Sequence, residues 1–363
     1  MVGWLDEVGG ALQARVGALM ARPWEAVDAT EVDALLVAMW RWQRARNVAL
    51  DRVARAFLGA REPSGAAEIP GVPTEVFKVA RGACFGEAAE ARVFLTSGTT
   101  TEARGRHAFA QTDLYAQACV ETAARMLLPL PRYRCVFVAE SESDAPHSSL
   151  SFMLARFAER WGLDGEAAGA FFVRDGRVDA PGVLEALRAA VREGVPVALL
   201  GTSFGFVHLL DQLSDGAAPA LPAGSVAMLT GGFKGRAREV PPVELARSLR
   251  GAFGAGLRIA HEYGMTELSS QAYDRPRADG APGLYHSPPW MRLDVVDPVT
   301  LAPLGAGAVG LVRVLDLANL GSTVAVQTSD LGRMHPEGLE LLGRAPGATP
   351  RGCARAMDAL LDP

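Results

Sequence analysis

Between about residue 90 and residue 260, short apolar runs alternate with amphipathic helical stretches, and this alternation constrains the fold more than any other feature. Arg92-Val93-Phe94-Leu95, Cys135-Val136-Phe137-Val138 and Val195-Pro196-Val197-Ala198-Leu199-Leu200 read as buried strands, and Val226-Ala227-Met228-Leu229 and Leu257-Arg258-Ile259-Ala260 continue the series. Asp113 to Leu128 and residues 149–161 and 181–193 carry helical periodicity between them. Strands separated by helices are joined by crossovers, which favour parallel pairing, so a layered α/β core is expected.

The flanks differ from this core. Leu5, Val8, Leu12, Val16 and Leu19 recur at three- and four-residue spacing, as do Val32, Leu35, Leu36, Met39 and Trp40, so residues 1–60 read as helical. Thr30, three residues before Asp33, is the expected cap of the second helix. Pro63 to Pro73 breaks the pattern and marks a connection. After about residue 290 the helical pattern stops, and Leu293-Asp294-Val295-Val296, Gly310-Leu311-Val312-Arg313-Val314 and Thr323-Val324-Ala325-Val326 read as strands joined by turns. The expected organisation is a helical region at 1–65, an α/β core at 66–290, a β-rich subdomain at 291–345 and a tail at 346–363 that carries Cys353.

Charge and cysteine usage exclude several classes. A net charge of −5 over 363 residues offers no electrostatic footing for nucleic acid or an anionic membrane. Only Lys78 and Lys234 among the 36 basic residues are lysines, as a bias toward arginine codons would produce. Cys84, Cys119, Cys135 and Cys353 form no CxxC pair and no cluster with histidine, which argues against a disulfide framework or a zinc site and suits a reducing cytoplasm. The first residues do not read as a signal peptide, and no apolar run reaches the length of a membrane span.

Three segments carry candidate chemistry. Thr96-Ser97-Gly98-Thr99-Thr100-Thr101 follows a strand and could offer backbone N–H and hydroxyl donors to phosphate oxygens, with Arg104 and Arg106 adding fixed positive charge. It is not a Walker loop, because the GxxxxGK[ST] spacing is absent, and the same residues serve equally as a polar turn. His261-Glu262-Tyr263-Gly264-Met265-Thr266-Glu267 follows another strand, and Glu267 offers the hard oxygen that magnesium prefers. Thr328-Ser329-Asp330-Leu331-Gly332-Arg333 places a carboxylate where a ribose could be held, or forms a plain Asp/Gly turn.

Taken in order, the three segments resemble the core motifs of the adenylate-forming superfamily: the Ser/Thr/Gly-rich phosphate loop, the YGxTE segment and the TGD-type segment. Thr101 stands where the loop usually has Gly, and Ser329 replaces the Gly of TGD. The resemblance spans roughly residues 90–345. It implies the fold of that superfamily's N-terminal domain. It also implies that Thr96, Ser97, Gly98, Thr99, Thr100 and Arg104 bind the ATP phosphates, that Thr266 binds the α-phosphate and that Glu267 holds Mg2+. Asp330, with Arg333 nearby, would bind the ribose, while Gly232, Tyr263 and Gly264 would flank the adenine. The substrate pocket would draw on Phe204, Phe206, His208 and His261.

A narrower resemblance is carried by Ile69-Pro70 to Phe77-Lys78, Gly105-Arg106-His107, Gly201 to Leu210, Gly231-Gly232-Phe233-Lys234-Gly235 and Arg351-Gly352-Cys353. These look like the acyl-protein synthetase (LuxE-like) family, which forms an acyl-adenylate from a fatty acid and takes the acyl group onto a cysteine near its C-terminus. The resemblance implies Cys353 as acyl acceptor, a cytoplasmic location and a partner reductase of the acyl-CoA-reductase type, and a homo-oligomer is compatible with it. Larger superfamily members carry a mobile C-terminal domain with a catalytic lysine. Gly343-Arg344 to Arg351-Gly352 resembles the hinge leading into it, and no lysine follows Lys234, so that domain is expected to be largely absent. Lys234, Arg104, Arg106 or Arg333 would then supply the charge. The alternatives are transfer to an external thiol, coenzyme A or a carrier protein, and a non-catalytic nucleotide-binding scaffold.

Overall fold

The computed structural model describes residues 3–96, 104–163, 167–213, 218–231, 240–345, 353–354 and 357–358. The chain divides into two compact units, Met1–Ala118 with Met265–Gln271 and His286–Pro363 in the first, Cys119–Gly264 with Ala272–Tyr285 in the second.

The first unit opens on α1 (Glu7–Met20), α2 (Ala29–Arg44) and α3 (Val48–Leu58). Each starts at a side chain that satisfies an otherwise unpaired N–H: Asp6 accepts from Gly9 at 2.8 Å, Asp28 from Thr30 at 3.0 Å and Asn47 from Leu50 at 3.1 Å. The cap of α2 is thus Asp28, and Thr30, expected in that role, lies inside the helix. The apolar face of α1 is also rotated from the expected one. Val8 is exposed, and Gly9 is buried against Trp42, where a Cβ would come within 2.6 Å of the indole. The indole Nε1 donates to Asp6 at 2.8 Å and locks this contact.

Two short elements follow, β1 (Val72–Pro73) and α4 (Val76–Val79). Next, β2 (Arg92–Leu95) and β3 (Arg106–Phe109) pair antiparallel, with Phe94 opposite His107 and Leu95 opposite Arg106. Periodicity gives no sign of β3, because Arg106 and His107 interrupt its apolar pattern. The Ser/Thr-rich stretch therefore joins two strands of a hairpin.

Helix α5 (Asp113–Met126) leads into the second unit. There β4 (Arg134–Val138), α6 (Ser149–Trp161), β5 (Val173–Arg174), β6 (Arg177–Val178), α7 (Ala180–Glu193) and β7 (Val197–Thr202) follow in turn. Then come α8 (Ser203–Gln212), β8 (Val226–Thr230), α9 (Pro242–Phe253), β9 (Arg258–Tyr263), β10 (Ala272–Arg275) and β11 (Leu284–His286). As the alternation predicts, β4, β7, β8 and β9 pair in parallel in that order, while β10 runs antiparallel to β9. Val138, Leu187, Leu199, Phe206, Leu249 and Ile259 belong to one buried cluster that brings α7, α8 and α9 onto this sheet.

The chain returns to the first unit in an antiparallel meander of β12 (Met291–Val296), β13 (Val309–Asp316), β14 (Ala325–His335) and β15 (Gly338–Arg344). β1 pairs in parallel with β14, Val72 beside Val326. Buried Arg313 ties the preceding connection to this sheet, donating to Ile69 O at 2.8 Å, Ala67 O at 2.9 Å and Asp294 at 2.9 Å. β14 runs through Thr328–Arg333, so this segment is strand rather than the turn its Asp and Gly suggest. A register shift between Leu331 and Gly332 absorbs the irregularity. No helix among the described residues is long and apolar enough to cross a membrane.

Candidate functional site

Ser97, Gly98, Thr99 and Thr100 lie outside the described residues, as do Gly232 and Lys234. The neck of the hairpin loop is described. Thr96 N donates to Gly105 O at 2.9 Å, and Gly105 N donates to Thr96 Oγ1 at 2.8 Å. The Thr96 hydroxyl is thereby used in closing the loop. Exposed Arg104 folds back on the neck, donating to Thr96 O at 2.6 Å and Leu95 O at 3.3 Å. Arg106 pairs with Glu90 at 3.2 Å. Arg104 is thus engaged in holding the neck, and Arg106 in an ion pair with the residue two before β2.

The unit boundary passes through the YGMTE segment, and Met265–Gln271 belongs to the first unit with the hairpin. Buried His107 on β3 links the two, its Nδ1 lying 2.8 Å from Thr266 O. The ring sits between Phe77 and Phe109, at centroid distances of 5.6 and 4.2 Å. Burial pushes the His107 pKa down to about 4, so the imidazole is neutral at pH 7. A carbonyl only accepts, so Nδ1 carries the proton.

The same segment is anchored from β13 and the turn after it. Fully buried Asp316 accepts from Ser269 N at 2.9 Å, Ser270 N at 2.8 Å, Ser270 Oγ at 2.7 Å and Ala318 N at 2.9 Å. Burial raises its pKa, and these bonds oppose the rise. Asn319 Nδ2 donates to Glu267 O at 2.9 Å, and Ser269 Oγ donates to Asn319 Oδ1 at 2.6 Å. Glu267 is itself buried. Among the described residues no group of three or more His, Cys, Asp or Glu is arranged to hold a metal. One carboxylate is nonetheless enough for magnesium, which takes its other oxygens from phosphates and water.

On β14, half-buried Asp330 accepts from Arg344 Nε at 3.4 Å, and Arg333 donates to Glu340 on β15 at 3.1 Å. Cys353, the acyl acceptor implied by the resemblance to acyl-protein synthetases, is enclosed in an apolar cluster. It is fully buried with Val296, Leu301 and Leu311, against Phe57, Leu331 and Ala345. Burial, then the nearby Glu75 carboxylate, pushes its thiol up to about 12, which leaves almost no thiolate at neutral pH.

The second unit holds the remaining candidates. Buried Tyr263 ends β9 and meets Tyr285 edge to face at 5.9 Å, and half-buried Gly264 follows it. His261 is buried; Asp274 accepts from its N at 2.7 Å and from its Nδ1 at 2.8 Å. Glu262, which no spacing or motif singles out, accepts a hydrogen bond from Thr230, and burial pushes its pKa up to about 7. Phe204 and His208 lie one turn apart on α8 with rings 4.3 Å from each other, and His208 is exposed. Phe206 faces the other way, fully buried in the core, and so belongs to the packing of the sheet.

At the level of sequence, no family model and no curated protein matches this chain. Solved structures do. The structure of 2-hydroxyisobutyryl-CoA ligase in the postadenylation state with 2-HIB-AMP matches with a TM-score of 0.58 at 14% identity, covering 87% of this chain and 68% of that one. Its open conformation with 2-HIB-AMP and CoA matches with a TM-score of 0.56 at 16% identity, covering 86% and 74%. ATP-bound MatB from Rhodopseudomonas palustris gives a TM-score of 0.49 at 17% identity over 70% of this chain, which spans 48% of that structure, about half its length. The chain has the α/β fold of the N-terminal domain of adenylate-forming enzymes.

Proposed function

We propose that this protein uses ATP to activate a carboxylic acid. An oxygen of the acid attacks the α-phosphorus, the bond to the β-phosphate oxygen breaks, and acyl-adenylate and pyrophosphate form. The observation that carries this reading is the buried bond from His107 to Thr266 O, which holds the neck of the hairpin loop and the Thr266–Glu267 segment in one unit. The fold shared with a ligase seen with 2-HIB-AMP and CoA supports it.

In this reading Ser97, Thr99 and Thr100, with backbone N–H groups of the loop, take the ATP phosphates, and Thr266 takes the α-phosphate. Glu267 holds Mg2+, which neutralises charge developing on the phosphate oxygens. Arg104 and Lys234 add positive charge. Tyr263 and Gly232 flank the adenine, Asp330 accepts from the ribose hydroxyls with Arg333 nearby, and Phe204, His208 and His261 border the acid.

The acyl group then passes to a thiol: sulfur attacks the carbonyl carbon, AMP leaves, and a thioester remains. Cys353 is the acceptor in the acyl-protein synthetase reading, with a fatty acid as substrate and a reductase as the later partner. Its burial requires that residue 353 leave its apolar site before it reacts. That same burial favours the second reading, in which an external thiol of coenzyme A or a carrier protein receives the acyl group. Incubating wild type and Cys353→Ala with ATP, magnesium and labelled acids separates the two. Hydroxylamine-labile label on wild type alone assigns Cys353, whereas pyrophosphate release without bound label assigns an external acceptor.

A further inference from the structure

Histidine 107 is an unfavourable choice for its position on packing grounds alone. The ring is fully enclosed among Phe77, Phe109 and the hairpin, where a phenylalanine or leucine would pack without burying a polar atom. Its Nδ1 is used by Thr266 O, but Nε2 is buried without a hydrogen-bond partner among the described residues. Burying such a nitrogen without a protein partner is unfavourable. A polar ring in an apolar enclosure departs from simple packing, and such departures collect where function imposes them.

The connection it makes is specific. His107 sits on β3, opposite Phe94 of β2, two residues beyond the Thr96–Gly105 closure of the loop. Its one side-chain hydrogen bond among the described residues reaches 159 residues along the chain to the carbonyl of Thr266, next to Glu267. From the other side, Asn319 holds Glu267 O and Asp316 holds the N–H groups of Ser269 and Ser270. The Thr266–Glu267 peptide is thus clamped between two elements. The β13 side fixes Glu267, Ser269 and Ser270, and the only described hydrogen bond from the hairpin to Thr266 is that of His107.

We infer that His107 is a positioning residue for adenylation, setting the distance between the Thr96–Gly105 neck of the hairpin and the Thr266–Glu267 pair through its Nδ1–H bond to Thr266 O. The inference rests on the adenylation reading. The α-phosphate must meet groups from both segments at once, and a misplacement of about 1 Å costs on the order of a hundredfold in rate. Because the ring touches a backbone carbonyl and no reacting atom, its effect falls on the rate of chemistry more than on ATP binding.

Two variants test this. His107→Phe keeps the aromatic volume and removes the donor, whereas His107→Asn restores an N–H close to the place of Nδ1. Acid-dependent exchange of labelled pyrophosphate into ATP is measured for both, with thermal unfolding as control. The expected result is a fall of about a hundredfold in kcat for His107→Phe, with KM for ATP changed less than about threefold and the unfolding temperature kept or raised. Recovery to within about tenfold of wild type is expected in His107→Asn. A His107→Phe enzyme as fast as wild type overturns the inference. So does a loss in both variants that tracks their unfolding temperatures, because His107 would then be structural only. If wild type exchanges pyrophosphate with no acid, the adenylation reading fails and this inference falls with it, an outcome distinct from the first two.

Discussion

Cysteine 353 should be a thiol of very low reactivity in the resting protein. Raising its pKa from 9.0 to about 12 lowers the thiolate fraction at pH 8 from about one in ten to about one in ten thousand. Alkylation proceeds through the thiolate, so iodoacetamide should label Cys353 about a thousandfold more slowly than a free thiol, even before enclosure by Phe57, Leu331 and Ala345 is counted. The background is quiet: Cys84 and Cys119 are also pushed up to about 12 by burial, and Cys135 is buried. The assay is timed alkylation at pH 8 in native buffer and in urea, with peptide mass spectrometry to locate the label. All four cysteines should label in urea and almost none in buffer. If Cys353 in native buffer labels at the free-thiol rate, the reasoning from its burial is wrong. If it is the acyl acceptor, ATP, magnesium and substrate acid should draw it out of this site and change its labelling.

Three further perturbations have definite signs. Asp316→Ala removes an acceptor shared by four donors in a fully buried place, and should destabilise the protein by about 3 kcal/mol or more in urea unfolding. The His107 pKa is lowered from 6.5 to about 4, so its stabilising contribution is complete above pH 6.5, is lost as pH falls through 4, and totals about 3 kcal/mol. A urea midpoint that falls between pH 6.5 and 4 in wild type and less steeply in His107→Phe is the expected observation. Glu262 behaves oppositely, because burial raises its pKa from 4.5 to about 7: its contribution is present below pH 4.5 and is lost as pH rises through 7. Glu262→Gln should therefore be more stable than wild type at pH 8, by up to about 3 kcal/mol.

How much could be read from the chain depended on how local the cause was. Helices α5, α6 and α7 and the parallel strands β4, β7, β8 and β9 follow from apolar periodicity, and their ends fall within three residues of expectation. β3 was hidden because its partner is β2 and its second residue is a buried histidine serving a carbonyl 159 residues away. The continuation of β14 through Asp330 was hidden for a similar reason. Asp and Gly signal a turn locally, but pairing with β13 and β15 overrides that preference. At the site, the motif residues were visible as a pattern of hydroxyls, glycines and carboxylates. Asp316 and Asn319 were not, since their hydrogen-bonding roles appear only when a stretch some fifty residues earlier folds against them. The burial of Cys353 was equally illegible, because it is made by residues from α3, the β12–β13 region and β14 together.

Acid-dependent exchange of labelled pyrophosphate into ATP tests the proposed chemistry most directly, because it needs only reversible formation of the adenylate and no acyl acceptor. The purified chain, magnesium and a panel of aliphatic, hydroxy and aryl acids should give exchange with at least one acid, absent without acid and abolished by Glu267→Ala. No exchange with any acid, in a preparation shown to bind ATP, would contradict adenylation and leave a nucleotide-binding protein without this activity.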